Sequence, residues 1–241
     1  MSSDSIWIND PLLFPGNEIC SRKYVLLPEI AAEIEKFGAK TILDFGCGEG
    51  YLANLLNSKE AQIGLFDISP DMTLMAERSF IDMGFKSVTT YSATNHIPRN
   101  SWDCVVLSMV LMTLQSHEEH ATVLENTTEA MKDEGILLIG ISHPCFRPAV
   151  FGNFHTDYSL GREFKYMADF DPFEVYLRTS KQVEPLRFTD FHQSLSYTFK
   201  SLNSAGLVVE ELQELNDFAS DGSYYNPYLP PYILMKCSKR R

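Results

Sequence analysis

Ile42-Leu-Asp-Phe-Gly-Cys-Gly-Glu-Gly50 sets three glycines at alternate positions directly behind a short apolar run. Small residues in such a turn let the backbone come close to a ligand at the start of a following helix. Asp44 stands just before the turn and Glu49 within it. Carboxylates there oppose a pyrophosphate and suit a ligand with a positive end and no phosphate. Tyr51 departs further from the dinucleotide pattern, which wants glycine at that place. Asp67 lies roughly 20 residues beyond Gly46, where a carboxylate can accept hydrogen bonds from both hydroxyls of a ribose. His143 and His192 are the two imidazoles whose surroundings suit proton transfer: one follows a strongly apolar run, the other is expected in the first turn of a helix.

These residues need a scaffold, and the hydrophobic pattern supplies one. Leu27, Ile30, Ala31, Ile34 and Phe37 recur at helical spacing, with Gly38 as a stop. Thr41–Phe45 reads as a buried strand, and Leu52, Leu55 and Leu56 predict a helix beyond the glycine turn. Gln62–Phe66 is a second strand, and Ser69-Pro70-Asp71 is a helix start with a capping hydroxyl, an early proline and an acid at the dipole's positive end. Val88–Tyr91 and Trp102–Leu107 follow as strands; Ser116-His-Glu-Glu119 reads as a capping box. Gly135–Ile141 is almost wholly apolar, as in the middle of a parallel sheet. Such alternation implies βαβ crossovers and a three-layer α/β sandwich. From His143 the rhythm breaks into an aromatic stretch without a clean period, expected to be an insertion folded over the sheet. Thr189 is expected to cap a helix carrying Phe191, Leu195, Phe199 and Leu202, with strands at 207–212 and 232–237 and a loop holding Gly222, Tyr224 and Tyr225 between them. The expectation is one domain over 1–241, with an N-terminal lid and helix over 1–38 and an aromatic cap over 143–190.

Composition narrows the function. The chain has 241 residues, 44% of them hydrophobic, and a net charge of −12, which argues for a folded globular protein and against nucleic acid as a partner. The longest apolar run, Cys104–Leu114, falls well short of about 18 residues, so no membrane span is expected. The first residues have neither a basic start nor an apolar core, and the five scattered cysteines favour free thiols, which together point to the cytoplasm. No metal site is expected: His117 and His120 stand beside Glu118 and Glu119, but the capping box already explains that segment. Oligomeric state has no mark in the sequence.

A phosphate-free ligand with cationic groups and a ribose describes S-adenosylmethionine, and here the chain resembles the class I S-adenosylmethionine-dependent methyltransferases. The likeness runs through Leu43-Asp-Phe-Gly-Cys-Gly-Glu-Gly50, Gly64-Leu-Phe-Asp-Ile-Ser69, Ser92-Ala-Thr-Asn-His-Ile-Pro98, Ser101-Trp-Asp-Cys-Val-Val-Leu-Ser108 and Met131-Lys-Asp-Glu-Gly-Ile-Leu-Leu138, in order. Ser92 stands where that family usually has an adenine-binding Asp, which leaves Thr94, a backbone carbonyl or packing to hold the base. The resemblance implies a Rossmann-like, mostly parallel seven-stranded sheet with an antiparallel last strand. It also implies cofactor contacts from Asp44, Gly46, Cys47, Gly48, Asp67, Ile68, Ala93, Thr94 and Ser108, with Arg22 on the methionine carboxylate and Tyr24 over the sulfonium. A surface arginine and a half-buried tyrosine are the plainer alternatives for those two.

A narrower likeness to small-molecule methyltransferases rests on Ser142-His-Pro-Cys-Phe146, Phe191-His-Gln-Ser-Leu-Ser-Tyr197, Ser201-Leu-Asn-Ser-Ala-Gly-Leu207 and Pro230-Pro-Tyr-Ile-Leu-Met-Lys236. It implies a small-molecule acceptor, a metabolite or a short peptide, methylated on oxygen or nitrogen. Such an acceptor must lose a proton, and His143 and His192 are the candidates to take it or to orient the acceptor. Against this, His143 reads equally as a turn histidine and His192 as a packed one. The rival functions are a nicotinamide-dependent oxidoreductase, opposed by Asp44, Glu49 and Tyr51, and a cofactor-binding module without catalysis.

Overall fold

The structure, a computed structural model, describes residues 22–149, 154–158, 163–177, 186–215 and 229–241. The first 21 residues of the expected lid, and the loop positions Gly222, Tyr224 and Tyr225, lie outside the described residues. A π-helical turn, Arg22–Leu26, leads into helix α1 (Leu27–Phe37). Leu27, Ile30, Ala31 and Ile34 bury one face of α1, and Gly38 closes it at φ 75°, a left-handed cap. Then come β1 (Thr41–Phe45), β2 (Gln62–Phe66), α2 (Pro70–Asp82), β3 (Ser87–Tyr91), β4 (Trp102–Ser108), α3 (His117–Ala130) and β5 (Met131–Ser142). Three further strands, β6 (Phe154–Asp157), β7 (Pro172–Leu177) and β8 (Leu186–Phe191), precede α4 (Leu195–Ser204), β9 (Leu207–Leu215) and β10 (Tyr232–Lys239).

Seven strands make one sheet in the order β3-β2-β1-β4-β5-β10-β9. The first five are mutually parallel, and β10 runs antiparallel to both β5 and β9. This is the three-layer sandwich expected from the alternation, with the mostly parallel, Rossmann-like seven-stranded sheet that the resemblance implied. One face packs Leu26, Ile30 and Ile34 of the N-terminal turn and α1, with Ala76 and Phe80 of α2, on Ile42, Ile63 and Val106. The other packs Leu124 of α3 and Leu202 of α4 on Leu43, Val105, Leu137 and Ile233. Strands covered on both faces have no solvent side, which is why Ile42 and its neighbour Leu43 are both buried.

Trp102 ties the parallel half together. Its indole crosses β1 to reach β2, where a Cβ on Gly64 would strike the ring. It also meets Tyr91 of β3 edge-on at 6.2 Å.

The local expectations need two corrections. The helix predicted after the glycine turn is only a short 3-10 turn, Tyr51–Asn54. Gly50 enters it at φ 73°, so close to α2 that a Cβ there would lie 2.6 Å from the Ala76 Cα. A tight, left-handed approach to α2 replaces the expected helix start. Second, Thr189 caps nothing: it lies within β8, and Ser194 caps α4 by accepting from the Tyr197 N–H. The aromatic stretch holds a three-stranded antiparallel sheet, β6-β7-β8. Phe173, Val175, Leu177 and Phe188 cluster with Met72 of α2, which seats this small sheet against the main body. Among the described residues, no helix is long and apolar enough to cross a membrane.

Candidate active site

Parallel strands end together, and the loops after β1, β2 and β4 open a cavity of about 430 Å³ at their carboxyl ends. That is the usual ligand position in an open α/β sheet and the size of a small-molecule site. The glycine turn forms its floor. Gly46 has φ 84° and Gly48 φ 52°, and a Cβ on Gly46 would run into the Val110 side chain. The turn is strapped to β2 by hydrogen bonds from the Gly46 and Cys47 N–H groups to the Phe66 carbonyl, at 2.7 and 3.0 Å. Asp67 completes the strap: its carboxylate accepts from the Gly48 N–H at 2.9 Å and the Ser69 N–H at 3.0 Å. Burial raises its proton affinity, while those backbone donors work against the rise.

The cavity gathers most of the expected binding residues. Arg22, Gly46, Gly48, Asp67, Ile68, Thr94 and Ser108 line it. Arg22 Nε and Ser108 Oγ are buried without a hydrogen-bond partner among the described residues. Orphaned polar atoms aimed at a cavity mark places where a ligand can supply the missing bond. Burial lowers the Arg22 pKa, opposed by Tyr232, Glu49 and Asp44.

Asp44, Cys47, Ala93 and Tyr24 are not among the described residues lining the cavity. Asp44 is buried behind the turn in β1, where burial, with Asp67 adding to it, pushes its carboxyl up to about 7 against the pull of Arg22. Cys47 is buried and its thiol pushed well up by burial, which makes it a packing residue rather than a nucleophile. Tyr24 is 44% exposed, and the Lys23 ammonium lies 5.4 Å from its ring, the position of a surface residue and not of a shield over the cavity.

Both candidate histidines are buried, and neither is among the described lining residues. His143 Nδ1 accepts from the Cys145 N–H at 3.2 Å, which makes Nε2 the donor to Glu214 of β9 at 2.8 Å. With both ring nitrogens engaged, and its backbone N–H bonded to the Pro231 carbonyl, His143 acts here as a structural pin. His192 follows β8 and precedes α4, so it is not in a helix's first turn. Its Nε2 donates to the Tyr166 carbonyl at 2.7 Å, and its ring packs on Phe164 and Tyr166. Its proton affinity is lowered, as expected, but by burial and not by a helix dipole. Tyr158 stacks on Phe173 and is not among the described lining residues.

On α3, Glu119 reaches back to the Gln115 N–H while Ser116 accepts from the Glu119 N–H. His117 packs between Phe170 and Tyr197, and among the described residues no cluster of three His, Cys, Asp or Glu could hold a metal. His120 is fully buried with neither ring nitrogen hydrogen-bonded. Burial, helped by His117, pushes it down to about 4 from 6.5. The unfolded chain therefore takes up a proton that the folded chain refuses. The resulting stabilisation is complete above pH 6.5 and is lost as the pH falls from there towards 4. Between pH 7 and pH 5 this removes about 2 kcal/mol, or about 5 °C in melting temperature. His120→Asn is expected to lack that loss. Asp44 and Asp190, both raised to about 7, act in the opposite sense: their stabilisation is lost as pH rises from 3.8 towards 7. They are common to both proteins and cancel when the two melting curves are compared. Equal acid sensitivity of the two would contradict the assignment.

Sequence reasoning missed the far wall: Met109, Val110, Phe188, Asp190 and Tyr232. Met109 carries φ 61° after β4, which no residue-type signal announces. Phe188 and Asp190 had a signal in the alternation Leu186, Phe188, Asp190 along β8.

The comparisons with known proteins agree with this geometry. A family model described as a methyltransferase domain matches residues 21–170, well over half of the chain. No curated protein matches the sequence. Among solved structures, an S-adenosylmethionine-dependent methyltransferase from Clostridium acetobutylicum is 14% identical, with 94% of each chain covered and a TM-score of 0.63. The CcbJ methyltransferase from Streptomyces caelestis is also 14% identical, covering 88% of this chain and 94% of its own, with a TM-score of 0.66. The 1,6-didemethyltoxoflavin-N1-methyltransferase of Burkholderia thailandensis, solved with 1,6-didemethyltoxoflavin and S-adenosylhomocysteine, is 13% identical over 94% of this chain and 80% of its own, with a TM-score of 0.54. At such identities the likeness is one of fold.

Proposed function

We propose that this chain, which belongs to the methyltransferase-domain family, uses S-adenosylmethionine to methylate an oxygen or nitrogen of a small molecule. One observation carries the cofactor assignment: the glycine turn and the Asp67 carboxylate meet in one cavity whose described lining sets the carboxylates of Glu49, Asp67, Glu118, Glu119 and Asp190 against Arg22 as its cation. In this reading Asp67 accepts from the ribose hydroxyls, and Arg22 Nε, which has no partner among the described residues, donates to the methionine carboxylate. Ile68 and Thr94, which line the cavity, take the adenine in this reading, and the Cβ-free Gly46 and Gly48 let the ligand lie against the backbone. When bound, the cofactor supplies an electrophilic methyl carbon on a sulfonium; the protein's own work is to align the acceptor with it and exclude water. The apolar wall of Met72, Met112, Leu114 and Phe188 supports a small acceptor, and the Burkholderia enzyme, solved with a small heterocycle beside S-adenosylhomocysteine, supports the same reading. The segment 143–190, which supplies Phe188 and Asp190, serves as the acceptor-side cap.

Calorimetric titration with S-adenosylhomocysteine, with NADH in parallel, tests this. The expected result is one-site binding of the first and none of the second. NADH binding instead would return the chain to the oxidoreductase reading.

A further inference from the structure

β8 turns the side chains of Leu186, Phe188 and Asp190 to one side, and along an alternating strand the third position calls for an apolar residue. Asp190 is 3% exposed, and its Oδ1 is buried with no hydrogen-bond partner among the described residues. An unbonded buried carboxylate costs several kcal/mol or stays protonated, about as costly a residue as this strand could carry. Yet Asp190 lies in the wall of the active-site cavity, across from the turn Leu111–Thr113 that follows β4.

Its surroundings leave the carboxylate unfilled. Phe173 of β7 is its register partner. Among the described residues, two titratable groups face it, Arg147 beyond β5 and Tyr158 beyond β6. Arg147 is buried with its Nη1 on Ser142 Oγ and its guanidinium 5.0 Å from the centre of the Phe173 ring, and it gives Asp190 Oδ1 no hydrogen bond. The Tyr158 hydroxyl is likewise buried without a partner among the described residues. Burial pushes Asp190 up to about 7, with Arg147 opposing. That is close to ideal for a group that must accept a proton at neutral pH. The described lining residues carry one cation, Arg22, against the carboxylates of Glu49, Asp67, Glu118, Glu119 and Asp190. A cavity with that balance attracts cations and repels anions.

We infer that the Asp190 end of the cavity binds the amine of the methyl acceptor, its carboxylate holding the ammonium and taking the proton that nitrogen gives up. The inference rests on the methyl-transfer reading above. The ammonium passes one proton to the Asp190 carboxylate. The freed nitrogen pair forms the bond to the methyl carbon as the carbon–sulfur pair returns to sulfur. The products are the methylated ammonium, S-adenosylhomocysteine and a neutral Asp190, so charge and atoms balance. The acceptor class is an amine on an apolar, ring-sized body, matched to Phe188, Met72, Met112 and Leu114.

The test titrates 2-phenylethylamine, and phenylacetate as its anionic counterpart, into protein saturated with S-adenosylhomocysteine. The wild type is expected to bind the amine and not the acid, with affinity rising from pH 6 to pH 8 as Asp190 ionises. Asp190→Asn, and Asp190→Ser as a second variant should the first not fold, are expected to weaken amine binding at least about tenfold and to flatten its pH dependence. Both should bind S-adenosylhomocysteine as the wild type does. Equal amine affinity in wild type and variants, no amine binding by the wild type, or preference for phenylacetate overturns the inference while leaving the cofactor reading intact. Failure of the wild type to bind S-adenosylhomocysteine overturns the methyl-transfer reading first, and this one with it.

Discussion

Asp67→Ala is expected to weaken S-adenosylhomocysteine binding by at least about 100-fold, since two hydrogen bonds to a charged carboxylate are each worth about 1.5–3 kcal/mol. The effect has two sources. The ribose hydroxyls would lose the acceptor proposed for them, and the Gly48 and Ser69 N–H groups lose theirs, so the glycine turn loses one of its ties to the end of β2. Asp67→Asn separates the two contributions. It keeps one acceptor oxygen and the shape of the side chain, and a loss of affinity between wild type and Asp67→Ala is expected. Titration calorimetry reads both, and a melting curve without ligand shows whether the turn still folds. Wild-type affinity in Asp67→Ala would remove this carboxylate from the cofactor site.

Trp102→Ala is expected to produce the largest loss of stability of any single core change, about 3–5 kcal/mol, read as the urea midpoint at unchanged slope. Trp102 heads the fully buried side chains by size, and its ring spans from β4 over β1 to Gly64 of β2, with Tyr91 of β3 at its edge. Gly64→Ala tests the same contact from the other side. Its added methyl meets the indole and should cost about 1–3 kcal/mol by overpacking. In a Trp102→Ala background that cost should vanish, because the cavity accepts the methyl. Additive losses would show that the two residues do not share the space.

The sequence announced what periodicity can announce. Strands such as Thr41–Phe45 and Gly135–Ile141, apolar on both faces, have few alternatives to the middle of a parallel sheet, and the cap at Ser69 formed as its residue types required. The failures were places where tertiary geometry outweighed local pattern. Leu52, Leu55 and Leu56 have helical spacing, but Gly50 must stay left-handed to pass Ala76, and the chain manages one short turn. In the aromatic stretch, Phe173, Val175 and Leu177 alternate as a strand should, though aromatics on both sides masked the period. The histidines were legible as unusual but not as to why. Their positions suggested proton transfer; the structure sets His143 between the Cys145 N–H and Glu214, and His192 on the Tyr166 carbonyl, both outside the described lining of the cavity. Asp190 was overlooked because Thr189 was read as a helix cap, which hid the alternation that makes a carboxylate there anomalous.

Those two pins have a consequence for how such a protein diversifies. His143 fastens the chain to Glu214 and the Pro231 carbonyl as it leaves β5. His192 fastens it again before α4, through the Tyr166 carbonyl and backbone bonds with Phe170 and Asp171. The two ties differ in kind: His143 joins the segment to the main sheet, whereas His192 folds the end of the segment back onto its own residues 166–171. For protein engineering, His192 and its partners Tyr166, Phe170 and Asp171 therefore form one unit that has to be exchanged together, and His143 with Glu214 is the tie to leave alone.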